Sequence, residues 1–121
     1  MNFKTIPAKD IEKYIGSVST IIIDLREKSA YKKSHIPTAI NIPYEELTDK
    51  RDLLYIYDQI VVYCERGGLS MLAAREFSEH GYRVLNVAGG IHAYRGKLSI
   101  DENEKVFHNK LISFIKINNF K

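Results

Sequence analysis

Residues Gln59 to His80, QIVVYCERGGLSMLAAREFSEH, pass from one secondary structure to another around the only cysteine of the chain. Ile60 to Tyr63 form a short apolar, β-branched and aromatic run, the pattern of a buried strand. Cys64 follows at once. Glu65, Arg66, Gly67 and Gly68 then form a tight polar loop, and from Leu69 the apolar residues Leu69, Leu72, Ala73 and Phe77 recur at helical spacing. This order, strand, cysteine, glycine loop and helix, predicts that Cys64 sits at the carboxyl end of a strand, where open α/β sheets bind ligands. Two adjacent glycines let the backbone turn its N–H groups inward, and the amino end of the helix adds partial positive charge. Such a place favours a thiolate over the thiol that predominates for a free cysteine at neutral pH.

The rest of the chain alternates in the same way. Phe3–Ile6 reads as a short edge strand before Pro7, and Ala8–Ile15 as a helix with Ile11, Tyr14 and Ile15 on one face, closed at Gly16. Thr20–Leu25 is a strongly apolar strand whose end carries Asp24 and Arg26. These two either pair with each other to pin a loop or point into the crevice beside a neighbouring strand end. Glu27–Ser34 is helix-competent and stops at His35-Ile36-Pro37. Ala39–Ile42 is a further short strand, and a helix follows Pro43, from Tyr44 or Glu45 to about Leu54, with Leu47, Leu53 and Leu54 available to the core. Beyond the cysteine helix, Gly81 is a stop, Tyr82–Val87 a strand, and Ile91–Arg95 a short helix after Gly89-Gly90, ended at Gly96. Strands separated by helices predict an α/β fold with a central parallel sheet covered by helices on both faces.

Composition narrows the function classes. At 121 residues, 45% hydrophobic and 27% charged, the chain is expected to form one domain that buries roughly two thirds of its unfolded surface. The net charge of +3 is mild and its lysines and arginines are dispersed, which argues against nucleic acid as a partner. A lone cysteine excludes an intramolecular disulfide and a Cys-rich metal site, and His35, His80, His92 and His108 lack ligand spacing, so neither metal nor cofactor is expected. His35, at a helix end, reads as a hydrogen-bonded structural residue. The segment MNFKTIPAKD has no signal-peptide core, and no apolar run nears the ~20 residues of a membrane helix, so the expectation is a cytoplasmic protein without a membrane partner.

Four motifs together carry a resemblance. Asp24-Leu25-Arg26-Glu27, His35-Ile36-Pro37-Thr38-Ala39-Ile40-Asn41-Ile42-Pro43, Val61-Val62-Tyr63-Cys64 with its loop to Ser70, and Gly89-Gly90-Ile91-His92-Ala93-Tyr94 resemble, in order and spacing, the rhodanese homology domain. The resemblance spans roughly Ile6 to Gly96. It implies the three-layer rhodanese-like fold and a sulfurtransferase: Cys64 takes a sulfane sulfur from thiosulfate or a persulfide and passes it to a thiol or cyanide, with glutathione or thioredoxin as acceptor. It further implies that Glu65, Arg66, Gly67, Gly68, Leu69 and Ser70 cradle the persulfide through backbone N–H groups, and that Asp24 and Arg26 brace the rim. Family loops often place arginine next after the cysteine and before the final serine. Glu65 and Leu69 stand there instead, which predicts weak recognition of thiosulfate. Thr38 occupies a position where glycine is common, and Tyr94 one where tryptophan is frequent.

Two other readings compete. A binding or regulatory module with little turnover keeps the fold and drops the chemistry. A phosphatase or arsenate reductase uses a cysteine loop closed by an arginine that grips the oxyanion bidentately, and Ser70 occupies the matching position here. The chain divides, on this reading, into a domain over residues 1–97 and an extension over 98–121. In the extension Val106, Phe107, Leu111, Phe114 and Ile115 predict a helix that packs on the domain or docks on another subunit to give a homodimer.

Overall fold

The computed structural model describes residues 3–100. The helix expected over Val106 to Ile115, and its packing on the domain or docking on another subunit, therefore lie outside the described residues. Five strands, β1 (Lys4–Ile6), β2 (Thr20–Asp24), β3 (Ile40–Asn41), β4 (Gln59–Tyr63) and β5 (Val84–Val87), form one sheet in the order β1-β5-β4-β2-β3. Every pairing is parallel. Among the described residues four α-helices are interleaved: α1 (Lys28–Lys33), α2 (Leu47–Lys50), α3 (Gly68–Glu79) and α4 (Gly90–Ala93), with 3-10 turns at Ala8–Tyr14, Tyr44–Glu46 and Arg51–Ile56. No described helix is long and apolar enough to cross a membrane.

Both faces of the sheet are covered. Alternate residues of β2 and β4 supply two cores, because successive side chains of a strand point to opposite faces. Ile21, Ile23, Ile60 and Val62 pack with Leu47, Leu54, Ala73, Ala74 and Phe77 on one side. Ile22, Val61 and Tyr63 pack with Ile11, Tyr31, Ile36 and Tyr94 on the other. That is why all five residues of β2 are buried and its sequence shows no alternation.

Three expectations are corrected. The helix expected at Ala8–Ile15 is a 3-10 segment that ends at Tyr14, with Ala8 and Ile11 buried. The helix expected from Tyr44 to Leu54 is a 3-10, α, 3-10 succession in which only α2 is α-helical. Last, α3 does not bury Leu69 and Leu72. Its inward face is Ser70, Ala73, Ala74, Phe77 and Ser78, and Leu69, Met71 and Leu72 stand 44–47% exposed. The reason is local: Ser70 is drawn inward by contacts to the cysteine sulfur, and that rotation leaves the leucines outside. Elsewhere, Thr38 takes φ 65, a left-handed conformation uncommon for a β-branched residue, and its hydroxyl accepts a hydrogen bond from the Gly16 N–H at 3.0 Å.

The topology positions the site. The chain leaves β2 toward β3 on one side and leaves β4 toward β5 on the other, so the connections part between two adjacent parallel strands. A crevice at their carboxyl ends results. Asp24 ends β2 and lies opposite Tyr63, the last residue of β4. Cys64 is next.

Candidate active site

Cys64 is 4% exposed and lies at the base of an open cleft of about 420 Å³, lined by Arg26, Glu27, Ala30, Glu65, Arg66, Gly68 and Leu69. Its Sγ receives two backbone hydrogen bonds, from the N–H of Gly67 at 3.1 Å and of Ser70 at 3.3 Å. The Ser70 hydroxyl is 3.5 Å from the same sulfur and donates to the Gly67 carbonyl at 3.2 Å. The first turns of a helix leave N–H groups without intrahelical partners. Here no side chain of the N-cap residue satisfies them, because that residue is Gly67. The sulfur of Cys64 takes the place of the capping group. Two N–H donors and a helix amino end thus converge on that atom.

Gly67 makes the turn, with φ 107. A side chain there would also press on the backbone of Gly89, at 3.2 Å. Gly68 has no such role: it opens α3 and a Cβ would meet open space. Only one of the two glycines is required by geometry.

The loop is held from behind by the segment that starts α4. The N–H of Ile91 donates to the Cys64 carbonyl at 2.9 Å and that of His92 to the Glu65 carbonyl at 3.1 Å. These two bonds tie the start of the loop to α4, and the donors that reach the sulfur come later in the loop, from Gly67 and Ser70. Gly90, at φ 62, lies so close that a Cβ would fall 2.3 Å from the Cys64 carbonyl oxygen. Nothing local in the sequence marks Gly90 as a site residue. The Gly-Gly pair before a short helix was visible, but the strand carrying Cys64 is not its neighbour in sequence.

Asp24 and Arg26 resolve into an ion pair. Asp24 is fully buried and accepts from the Arg26 backbone N–H at 2.8 Å, from Arg26 Nε at 3.1 and 3.2 Å and from Nη2 at 2.8 Å. Nη2 also donates to the Ser34 carbonyl at 2.6 Å. Burial works against the Arg26 charge, but the hydrogen bond and charge of Asp24, with smaller effects of Tyr63 and Glu65, outweigh it and hold the guanidinium above its ordinary value. The Tyr63 hydroxyl donates to Asp24 Oδ2 at 2.6 Å and accepts from the Ile36 N–H at 3.1 Å. Burial first, then the Asp24 charge and hydrogen bond, push that phenol well above its usual range. Asn41 Nδ2 completes the brace, donating to the carbonyls of Asp24 and Arg26. Tyr63 and Asn41 lie within the sequence motifs but do not stand out there as site residues, because each also reads as an ordinary strand residue.

The remaining loop residues lie at the rim. Arg66 is exposed and has no ion pair among the described residues, and Leu69 forms part of the cleft wall. Glu65 points outward, 61% exposed, with Oε1 3.5 Å from Arg26 Nη1. His35 is elsewhere: it is buried, stacks on Tyr31 at 3.8 Å, places Nδ1 2.9 Å from the Tyr31 carbonyl and pairs through its backbone with Ser99.

A parallel α/β domain with its one cysteine capping a helix at the switch point of the sheet defines a structural class. Within that class the sequence is decisive: the profile of the rhodanese-like domain matches residues 7–97, and the chain belongs to that family. It is 35% identical over 102 residues to the tRNA sulfurtransferase of Desulfurococcus amylolyticus, covering 79% of this chain and 20% of that protein. It is 30% identical over 113 residues to the adenylyltransferase and sulfurtransferase MOCS3 of Drosophila grimshawi, covering 84% of this chain and 24% of that one. The chain thus spans a quarter or less of these two relatives. The crystal structure of a rhodanese-related protein from Thermoplasma volcanium matches with a TM-score of 0.74 at 25% identity, over 82% of this chain and all of that one.

Proposed function

We propose that this domain is a sulfurtransferase that carries sulfane sulfur on Cys64, loaded from thiosulfate or a persulfide and unloaded to a thiol or cyanide. The observation that carries the reading is the pair of N–H groups of Gly67 and Ser70 aimed at Sγ. Fixed donors of this kind stabilise negative charge without reorganising during the reaction.

In the loading step the Cys64 thiolate attacks the outer sulfur of the donor. A new S–S bond forms to Sγ and the donor's own S–S bond breaks. The leaving group departs with the electron pair, as sulfite from thiosulfate or as a thiolate from an organic persulfide. Unloading repeats the exchange with the acceptor as nucleophile, and no net oxidation occurs across the cycle. Gly67 and Ser70 hold the sulfur, Asp24, Arg26, Tyr63 and Asn41 hold the rim, and α4 holds the loop. Glutathione or thioredoxin fits the role of thiol acceptor, in a cytoplasmic setting.

Thiocyanate formation from cyanide with thiosulfate or a persulfide as donor tests the reading. Wild type is expected to turn over, and Cys64→Ser, which keeps the fold, to fall to the uncatalysed rate. Equal rates for the two proteins would refute it.

A further inference from the structure

The cleft bears an unusual charge arrangement for a site open to small anions. The guanidinium of Arg26 is spent twice, on buried Asp24 behind it and on Glu65 in front, whose carboxylate stands 3.5 Å from the outward Nη1. Arg66 adds one cation at the mouth and Glu27 one anion. Two guanidiniums therefore meet three carboxylates, so the side chains add no net positive charge to the backbone N–H groups at Sγ. Glu65 also follows Cys64 directly, so its charge travels with the reacting atom. The cleft also presents carbon, from Ala30 on α1 and the half-exposed Leu69 on α3.

We infer that Glu65 is a specificity-determining residue, which by occupying the outward edge of Arg26 selects against compact polyanionic sulfur donors and for organic persulfides, R–S–S–H, with an uncharged or cationic carrier group R. The inference rests on the sulfurtransferase reading above and names its donor class. A persulfide of this kind brings hydrocarbon to Leu69 and Ala30 and releases R–S⁻ with the electron pair of the broken S–S bond, while its outer sulfur, with the proton, stays on Cys64. Thiosulfate must release a dianion past Glu65. The Glu65 side chain is 61% exposed and meets Arg26 at only 3.5 Å, while Arg26 keeps its shorter bonds to Asp24 and Ser34, so Glu65→Gln removes the charge and leaves the fold standing.

The test measures the second-order rate of sulfur loading on Cys64, by intact mass, for wild type and Glu65→Gln. Three donors are compared: thiosulfate, the persulfide of 3-mercaptopropionate and the persulfide of cysteamine. The first two release dianions, sulfite and a carboxylate-bearing thiolate, whereas the third releases a thiolate balanced by an ammonium group, on a carrier similar in size to that of the second. The expected result is that wild type favours the cysteamine persulfide, and that Glu65→Gln speeds the two anionic donors roughly three- to tenfold relative to it, an effect that shrinks with added salt. A change of the same size for all three donors, or none, overturns the inference while the sulfurtransferase reading stands. Wild type that loads from none of the three overturns that reading, and this inference with it.

Discussion

At the residue scale, the site depends on a few side chains whose polar atoms are all used. Tyr63 is the clearest. Its hydroxyl joins Asp24, at the end of β2, to the Ile36 N–H ahead of β3. Replacing it with phenylalanine leaves both partners short of a buried hydrogen bond and is expected to cost about 1–3 kcal/mol at neutral pH, measured by denaturant unfolding. The phenol is raised in the folded state. Its contribution is therefore complete below the unfolded phenol value of about 10 and is lost as the pH climbs from there toward the folded value, because the unfolded chain then holds fewer protons. Stability above pH about 10 should fall more steeply in wild type than in Tyr63→Phe; parallel curves would contradict the assignment. The aspartate and arginine beside it were legible as a pair from the sequence. Their choice between pairing and facing substrate was not, because spacing says nothing of which strand lies alongside.

At the scale of elements, the active loop is shaped as much by α4 as by α3. Gly90 allows the α4 turn to lie against the Cys64 carbonyl. Gly90→Ala combines a left-handed φ with a Cβ driven into backbone, and a loss of roughly 2–4 kcal/mol is expected, with slower sulfur loading. Gly68→Ala, where space is open and the residue is helical, should stay within about 1 kcal/mol of wild type. Thermal melts of the two variants check the contrast, and equal effects would show that the α4 contact does not shape the loop. The strand, loop and helix around Cys64 were readable in sequence because apolar period and glycine position agree there. The rotation of α3 was not, since Leu69 and Leu72 satisfy the helical period as well as Ser70, Ala73 and Phe77 do. What decides is the sulfur, which draws Ser70 in.

At the scale of the molecule, alternation of strands and helices disclosed a parallel sheet covered on both faces. Strand order was beyond it, because parallel neighbours such as β1 and β5 are joined through most of the chain and carry no local signal. The domain edge also looks different in three dimensions. Residue 97 is where the family match ends, yet Ser99 pairs with buried His35 through two backbone hydrogen bonds, at 2.9 and 2.8 Å. A chain ended at Gly96 leaves the His35 backbone groups unpaired and is expected to unfold about 1–3 kcal/mol more easily. An unchanged melting temperature would contradict that role for Ser99.

The central claim is that Cys64 carries sulfur, and intact-protein mass after exposure to a persulfide donor tests it most directly. Wild type should gain the mass of one sulfur atom, lose it on addition of a thiol, and show neither change as Cys64→Ser. A wild-type protein that gains no sulfur from persulfide or thiosulfate, or a Cys64→Ser protein that gains as much, would contradict the account.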